Sequence, residues 1–176
     1  MSGIRKGLAK VEIALRWDPS PAGSPPHDLD LVAGAYPAAD PYGEPAYLVH
    51  FGSRSPDGTI TLNRDSQTGQ GLGYDEVMTL ELDRLSDALG RVVVGVVIQD
   101  TAGAVTFGQV AAAGLRIRSG YTDLVEGGFT AVAEATAAVV AEFVRGPSGD
   151  WSLDAEPAGF TVAPAEFTRL MGAARG

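Results

Sequence analysis

The sequence predicts an all-β fold, a two-sheet β-sandwich with short helices, including one at the C-terminus. Short runs of alternating apolar and polar residues recur along the chain, and turn-forming residues separate them. Only the last segment has a clear helical pattern. Many short strands joined by turns are typical of sandwiches. We expect one domain over residues 1–176, with a core over about 3–160 and a helical tail over about 164–176.

The first half of the chain contains the strands with the clearest alternation. Residues 11–17 alternate apolar with polar or small side chains, as a half-buried strand does. Proline and glycine fill the loop 19–26. The turn sequence Ser55-Pro56-Asp57-Gly58 predicts a hairpin that joins the strands on either side of it. Further strands in this half are predicted at 29–35, 47–51 and 59–62.

The second half contains a strand that is predicted to be buried on both faces. Residues 91–98 are nearly all valine, which fits a strand covered on both sides. The runs 77–82 and 115–118 alternate, so each is predicted to be half-buried. Between them, residues 83–89 are predicted to form one or two helical turns.

Two C-terminal segments differ in how clearly they can be assigned. In residues 131–144 the alanine content favours a helix, whereas the valine pairs and Phe143-Val144 favour a strand. From Pro164 onward the pattern is helical, because proline suits the first turn and Phe167, Leu170 and Met171 form one stripe.

The composition of the chain disfavours several classes of partner and of active-site chemistry. The chain is 45% hydrophobic and carries a net charge of −9, which disfavours nucleic acid and anionic membrane surfaces as partners. The apolar run 92–98 is far shorter than the ~20 residues of a membrane helix, and no signal peptide is recognisable, so we expect a cytoplasmic protein without membrane insertion. The absence of cysteine excludes thiolate metal sites and thiol nucleophiles.

A glycine-rich acidic loop is the strongest functional signal. In residues 65–76, three glycines at alternate positions separate Asp65 from Asp75 and Glu76. Glycine allows tight backbone turns, which can direct carbonyl and carboxylate oxygens to one point, as Ca²⁺ requires. Upstream, Asp28 and Asp30 fall on one face of a predicted strand because side chains alternate with period 2.

An enzymatic function is not expected. The chain has only two histidines, His27 and His50, as imidazole bases. Neither a G-x-S-x-G elbow nor an H-E-x-x-H motif is present. The loop Gly69-Gln70-Gly71-Leu72-Gly73 lacks the G-K-[ST] that a phosphate loop needs, and the neighbouring acids would repel phosphate.

Several segments together resemble the TerD (tellurium-resistance, stress-response) family, and they occur in that family's order over roughly residues 3–160. They are Leu15-Arg16-Trp17-Asp18, His27-Asp28-Leu29-Asp30-Leu31, Ser55-Pro56-Asp57-Gly58, Asp65-Ser66-Gln67-Thr68-Gly69, Asp75-Glu76, Phe107-Gly108-Gln109-Val110, Leu115-Arg116-Ile117-Arg118, Ala141-Glu142-Phe143-Val144-Arg145 and Gly149-Asp150-Trp151.

The resemblance implies a sandwich with Ca²⁺ bound in loops at one end, and a strand at 137–145 paired with 151–155. It also implies a role in tellurite resistance and stress response, exercised through other stress-response proteins. For the metal site, we expect five carboxylates and the carbonyls of Gln67 and Gly69 as ligands. The carboxylates are those of Asp28, Asp30, Asp65, Asp75 and Glu76.

The chain departs from the resembled family at two loop positions. Leu72 and Tyr74 stand where acidic members have aspartate. Because a tight divalent site uses about two to four carboxylates, five acids predict one calcium ion per chain rather than two. Two alternatives stay open: a metal-dependent hydrolytic enzyme that uses the acidic cluster, and a metal-free interaction scaffold.

Overall fold

Two antiparallel sheets make up most of the fold. The computed structural model describes residues 5–64, 68–70, 73–99 and 105–174. Within these residues the strands, in chain order, are β1 (Arg5–Lys6), β2 (Lys10–Arg16), β3 (Leu29–Pro37), β4 (Tyr47–Val49), β5 (Ile60–Arg64), β6 (Glu76–Glu81), β7 (Leu89–Ile98), β8 (Gly114–Ser119), β9 (Thr122–Gly128), β10 (Ala137–Arg145), β11 (Trp151–Asp154) and β12 (Ala158–Phe160).

The strands divide into a larger and a smaller sheet, as the predicted sandwich requires. The larger sheet has the order β1-β11-β10-β7-β3-β4, and β12 pairs with the first residues of β10. The smaller sheet has the order β5-β6-β2-β8-β9. One helix, α1 (Pro164–Leu170), follows the last strand, and 3₁₀ turns lie at Leu82–Arg84, Phe107–Gln109 and Thr130–Val132. No helix in the described ranges is long and apolar enough to cross a bilayer.

Strand β7 is buried on both faces, as its valine content predicts. Val92, Val94 and Val96 pack in the main core. The alternate residues Val93 and Val97 pack in a second cluster that Phe167 of α1 and Met171 complete. The helix therefore covers the outer face of the larger sheet.

Gly95 makes room for that helix. A Cβ atom at this position would lie 2.5 Å from Cζ of Phe167, so any larger residue would displace the ring. The predicted stripe of α1 is confirmed for Phe167 and Met171, which are both fully buried, whereas Leu170 is half-buried.

The predicted strands are present in the structure, but several other assignments from sequence differ from it. Residues 137–145 form β10, so the helical alternative for 131–144 is wrong apart from the 3₁₀ turn at Thr130–Val132. The helical turns predicted at 83–89 reduce to the 3₁₀ turn at Leu82–Arg84. Strands β1, β9 and β12 were not predicted from sequence.

The predicted hairpin around residues 55–58 is also wrong. Strand β4 pairs with β3 in the larger sheet, whereas β5 pairs with β6 in the smaller one. The intervening residues therefore cross from one sheet to the other. Side-chain hydrogen bonds fix this crossing, since Ser53 Oγ donates to the Leu48 carbonyl and Ser55 Oγ to the Ile60 carbonyl.

Candidate metal centre

Three carboxylates come together where the start of β3 approaches the start of β6. Asp28 immediately precedes β3, Asp30 lies in β3, and Glu76 begins β6. One oxygen from each lies within 4.8 Å of the others, so together they could hold a metal ion. Asp30 and Glu76 are 3% and 0% exposed. The alternation of β3 places the two aspartates on one side, as predicted, and the smaller sheet supplies the glutamate.

Hydrogen bonds hold these carboxylates in place. Glu76 Oε1 accepts the backbone N–H of Leu31 at 2.8 Å, which links the two sheets directly. Gln99, just beyond β7, donates its side-chain amide to Asp30 Oδ2 at 2.6 Å and its backbone N–H to the Asp28 carbonyl at 2.8 Å. Strands β3, β6 and β7 thus all help to position the cluster.

Asp75 faces a different place from its neighbour Glu76. Its Oδ2 accepts the backbone N–H of Trp17 at 2.9 Å, and its own N–H donates to the Leu15 carbonyl at 2.8 Å. Asp75 also lines a cavity of about 400 Å³, together with Gly69 and Asp18. Adjacent residues of an extended chain point to opposite sides, so Asp75 is not among the three grouped carboxylates.

Gly69 lies against Trp17. Its φ of +75° is in the left-handed region that favours glycine, and a Cβ there would lie 2.5 Å from Trp17 Nε1. The same indole nitrogen donates to the His27 carbonyl at 2.8 Å. Trp17 therefore joins the glycine-rich loop to the residue before Asp28.

Sequence reasoning did not assign Trp17 and Gln99 to the site. In the sequence, Trp17 was the last apolar residue of an alternating strand and part of a segment that resembles the TerD family, but neither observation marked it as a site residue. Gln99 follows the valine-rich strand without any local motif, so only the pairing of β7 with β3 shows that it lies beside Asp30. Two of the predicted ligands, Asp65 and Gln67, lie outside the described residues.

Tyr74 contacts arginines. The Arg116 guanidinium lies 4.4 Å from its ring centroid and that of Arg16 lies 5.9 Å away, within the range of cation–π attraction. Where aspartate would add a metal ligand, this chain thus has a phenol beside two fixed positive charges. Leu72, the other departure, lies outside the described residues.

The chain matches a family model described as the TerD domain over residues 2–168. This match covers almost the whole sequence. The chain belongs to the TerD family. The resemblance inferred from the ordered segments is confirmed.

Relatives and solved structures agree with this assignment. The chain is 29% identical over 119 residues to the tellurium resistance protein TerD of an Alcaligenes species, and the match covers 66% of this chain and 62% of that protein. It is 30% identical to the uncharacterized protein YceE of Bacillus subtilis (strain 168), with 94% of this chain and 89% of YceE covered.

Two crystal structures have nearly the same fold as this chain. A homologue of the telluride resistance protein TerD from Streptomyces coelicolor A3(2) is 49% identical and superposes with a TM-score of 0.93, covering 96% of this chain and 100% of that one. A protein of unknown function is 56% identical with a TM-score of 0.94, covering 96% and 99%. The TerD fold thus applies to almost the entire chain.

Proposed function

We propose that this TerD-family protein is a calcium-binding module that acts in tellurite resistance and stress response by binding other proteins, rather than as an enzyme. The convergence of Asp28, Asp30 and Glu76 within 4.8 Å carries the proposal. Three carboxylates this close repel one another at neutral pH, and a divalent cation among them turns that repulsion into attraction.

The chemistry of the donors favours a hard cation. The grouped ligands are all carboxylates, and the chain has no cysteine to attract softer metals. Calcium accepts about six to eight oxygens in irregular arrangements, whereas magnesium demands a tight octahedron and keeps its waters. A site assembled from two sheets and nearby loops suits the less demanding ion.

The position of the cluster suggests a structural or regulatory use of the metal. Glu76 already bonds to the backbone of the opposite sheet. A cation shared between β3 and β6 would add a second link between the sheets, so calcium binding would stabilise the sandwich and order the adjoining loops. Partner proteins could then recognise the ordered end.

Calcium should therefore raise the stability of the fold. An ion that binds only the native state adds about 2.7 kcal/mol when its concentration is 100 times Kd. Thermal unfolding of chelator-treated protein, with and without millimolar calcium, should differ by several degrees, and magnesium should have a smaller effect. Identical transitions in calcium and chelator would support the metal-free scaffold instead.

Asp30→Asn tests the position of the site. It removes one charge with little change in size, so calcium affinity should fall by about tenfold or more. Asp83→Asn is the matched control, since Asp83 is exposed on the 3₁₀ turn at Leu82–Arg84 and the net charge changes equally. Normal calcium binding by Asp30→Asn would show that the cluster is not the site.

A further inference from the structure

A second cleft lies on the side of the sandwich where the two sheets end in β4 and β5. Its volume is about 510 Å³, within the range of small-molecule sites. Val49 and Ile60, buried ends of these edge strands, provide an apolar floor. The crossing segment 50–59 forms its wall, so both sheets and their connection shape the cleft.

Hydrogen bonds fix the wall of this cleft without any ligand. The backbones of His50 and Ser53 pair with each other at 2.9 and 3.0 Å. The inward bonds of the Ser53 and Ser55 hydroxyls anchor both ends of the crossing segment. His50 Nδ1 accepts the N–H of Gly52 at 3.1 Å, so Nε2 carries the proton of the neutral ring and is a donor.

The charge of the cleft is opposite to that of the protein. The chain has 22 acidic and 13 basic residues. None of the described residues that line the cleft is acidic, and the ionisable ones among them are Arg54 and His50. Asp57 belongs to the same crossing segment but does not line the cleft. Arg54 is exposed, and within the described ranges its guanidinium forms neither an ion pair nor a hydrogen bond. Its five donors are therefore available to a carboxylate.

An aromatic side chain lies beside these donors. Phe51 lines the cleft and is 60% exposed, and His50 contacts it edge-to-face at 5.5 Å between centroids. An exposed phenyl ring at a concave site offers a surface for another flat apolar group. Donors and ring together fit a ligand that has one anionic and one flat apolar part.

We propose that the cleft formed by β4, β5 and residues 50–59 binds a small organic anion, a carboxylate that carries an aryl or similarly flat apolar group. The carboxylate pairs with Arg54, with the His50 Nε2–H as a second donor, and the apolar group packs against Phe51 and the floor. Because the anchor is one exposed arginine, the affinity for a minimal ligand is modest, with a Kd of about 1 mM.

Nitrogen-15 NMR titration with three matched probes tests this assignment. Phenylacetate should shift the amide signals of the cleft residues in a saturable way. Phenylacetamide, which has nearly the same shape but no charge, should bind about fivefold more weakly, and phenethylamine weaker still. Shifts that are absent, or that centre elsewhere on the chain, would overturn the proposal, as would equal affinities for phenylacetate and its amide.

Variants then assign the interaction to individual residues. Arg54→Gln should weaken phenylacetate binding about fivefold, whereas Arg84→Gln, an equally large charge change at another exposed arginine, should leave it unchanged. Phe51→Ala should weaken phenylacetate and its amide alike. If Arg54→Gln and Arg84→Gln lose phenylacetate affinity equally, the effect comes from the net charge of the protein and the proposed site is refuted.

Asp30→Asn separates this cleft from the metal centre. The variant should bind phenylacetate as the parent does, in calcium and in chelator alike. Loss of phenylacetate binding in Asp30→Asn would show that the signal belongs to the metal centre, which contradicts an independent anion site.

Discussion

Replacing Glu76 separates two roles that the structure gives to one carboxylate. The side chain lies in the metal cluster and also accepts the Leu31 N–H across the sandwich. Glu76→Gln keeps an acceptor oxygen and the shape of the side chain but removes the charge. Glu76→Ala removes both. Comparing the two in chelator and in calcium therefore distinguishes the structural role from the metal-binding role.

The expected magnitudes differ between the two substitutions. In chelator, Glu76→Gln should keep its free energy of unfolding within about 1 kcal/mol of the parent, because the hydrogen bond survives and carboxylate repulsion falls. Glu76→Ala leaves a buried N–H unsatisfied and a small cavity, which should cost about 3 kcal/mol. For a chain of this size that loss lowers Tm by about 6–12 °C.

In calcium, the parent should be more stable than Glu76→Gln, although the two are similarly stable in chelator. At 100 times its Kd the ion stabilises the parent by about 2.7 kcal/mol, whereas a tenfold weaker site gains only about 1.4 kcal/mol. Urea unfolding in chelator and in calcium measures both differences, with exposed Glu44→Gln as the charge-matched control. If Glu76→Gln gains as much from calcium as the parent does, Glu76 is not a ligand.

Three further outcomes are expected. Phe167→Ala should cost about 3–5 kcal/mol in urea unfolding, because the ring is fully buried against Gly95; a cost below about 1 kcal/mol would mean that α1 contributes little to stability. Gly69→Ala should lower Tm in chelator, since its φ is left-handed and its Cβ would meet Trp17, and an unchanged Tm would refute this close packing. Burial raises the pKa of Asp57, but hydrogen bonds from Thr59 outweigh burial and hold that pKa below its ordinary 3.8. The charged Asp57 carboxylate therefore stabilises the fold above pH 3.8, and this stabilisation is lost as the pH falls through the lowered pKa. Asp57→Asn should accordingly be less stable than the parent near neutrality and equal to it in strong acid. Urea unfolding at both pH values measures this, and a stability difference that does not change with pH would contradict it.

Side-chain periodicity predicted the strands that have a regular pattern of burial. The valines of β7 predicted a strand covered on both faces, and the structure shows what covers each face: the sandwich core and α1. Strand β9 was missed because it is an edge strand and mostly exposed, so no apolar alternation marks it. The turn at residues 55–58 was recognisable, but turn chemistry alone does not determine which sheet each flanking strand joins.

The sequence identified the acidic residues of the metal cluster, but only partly which of them come together. Alternation within β3 was enough to place Asp28 and Asp30 together. Alternation puts Asp75 and Glu76 on opposite sides of the chain, but which of the two faces the aspartates depends on the pairing of β6 with β2, which no local pattern specifies. The contribution of Gln99 likewise depends on a long-range strand pair.

Calorimetric titration of calcium into chelator-treated parent protein decides whether the carboxylate cluster is a calcium site. We expect one binding event per chain, with a Kd in the range of about 1–10 µM, that is weakened about tenfold or more in Asp30→Asn and unchanged in Asp83→Asn. No binding heat, combined with unfolding transitions that calcium does not move, would contradict the claim that the carboxylates of Asp28, Asp30 and Glu76 form a calcium site.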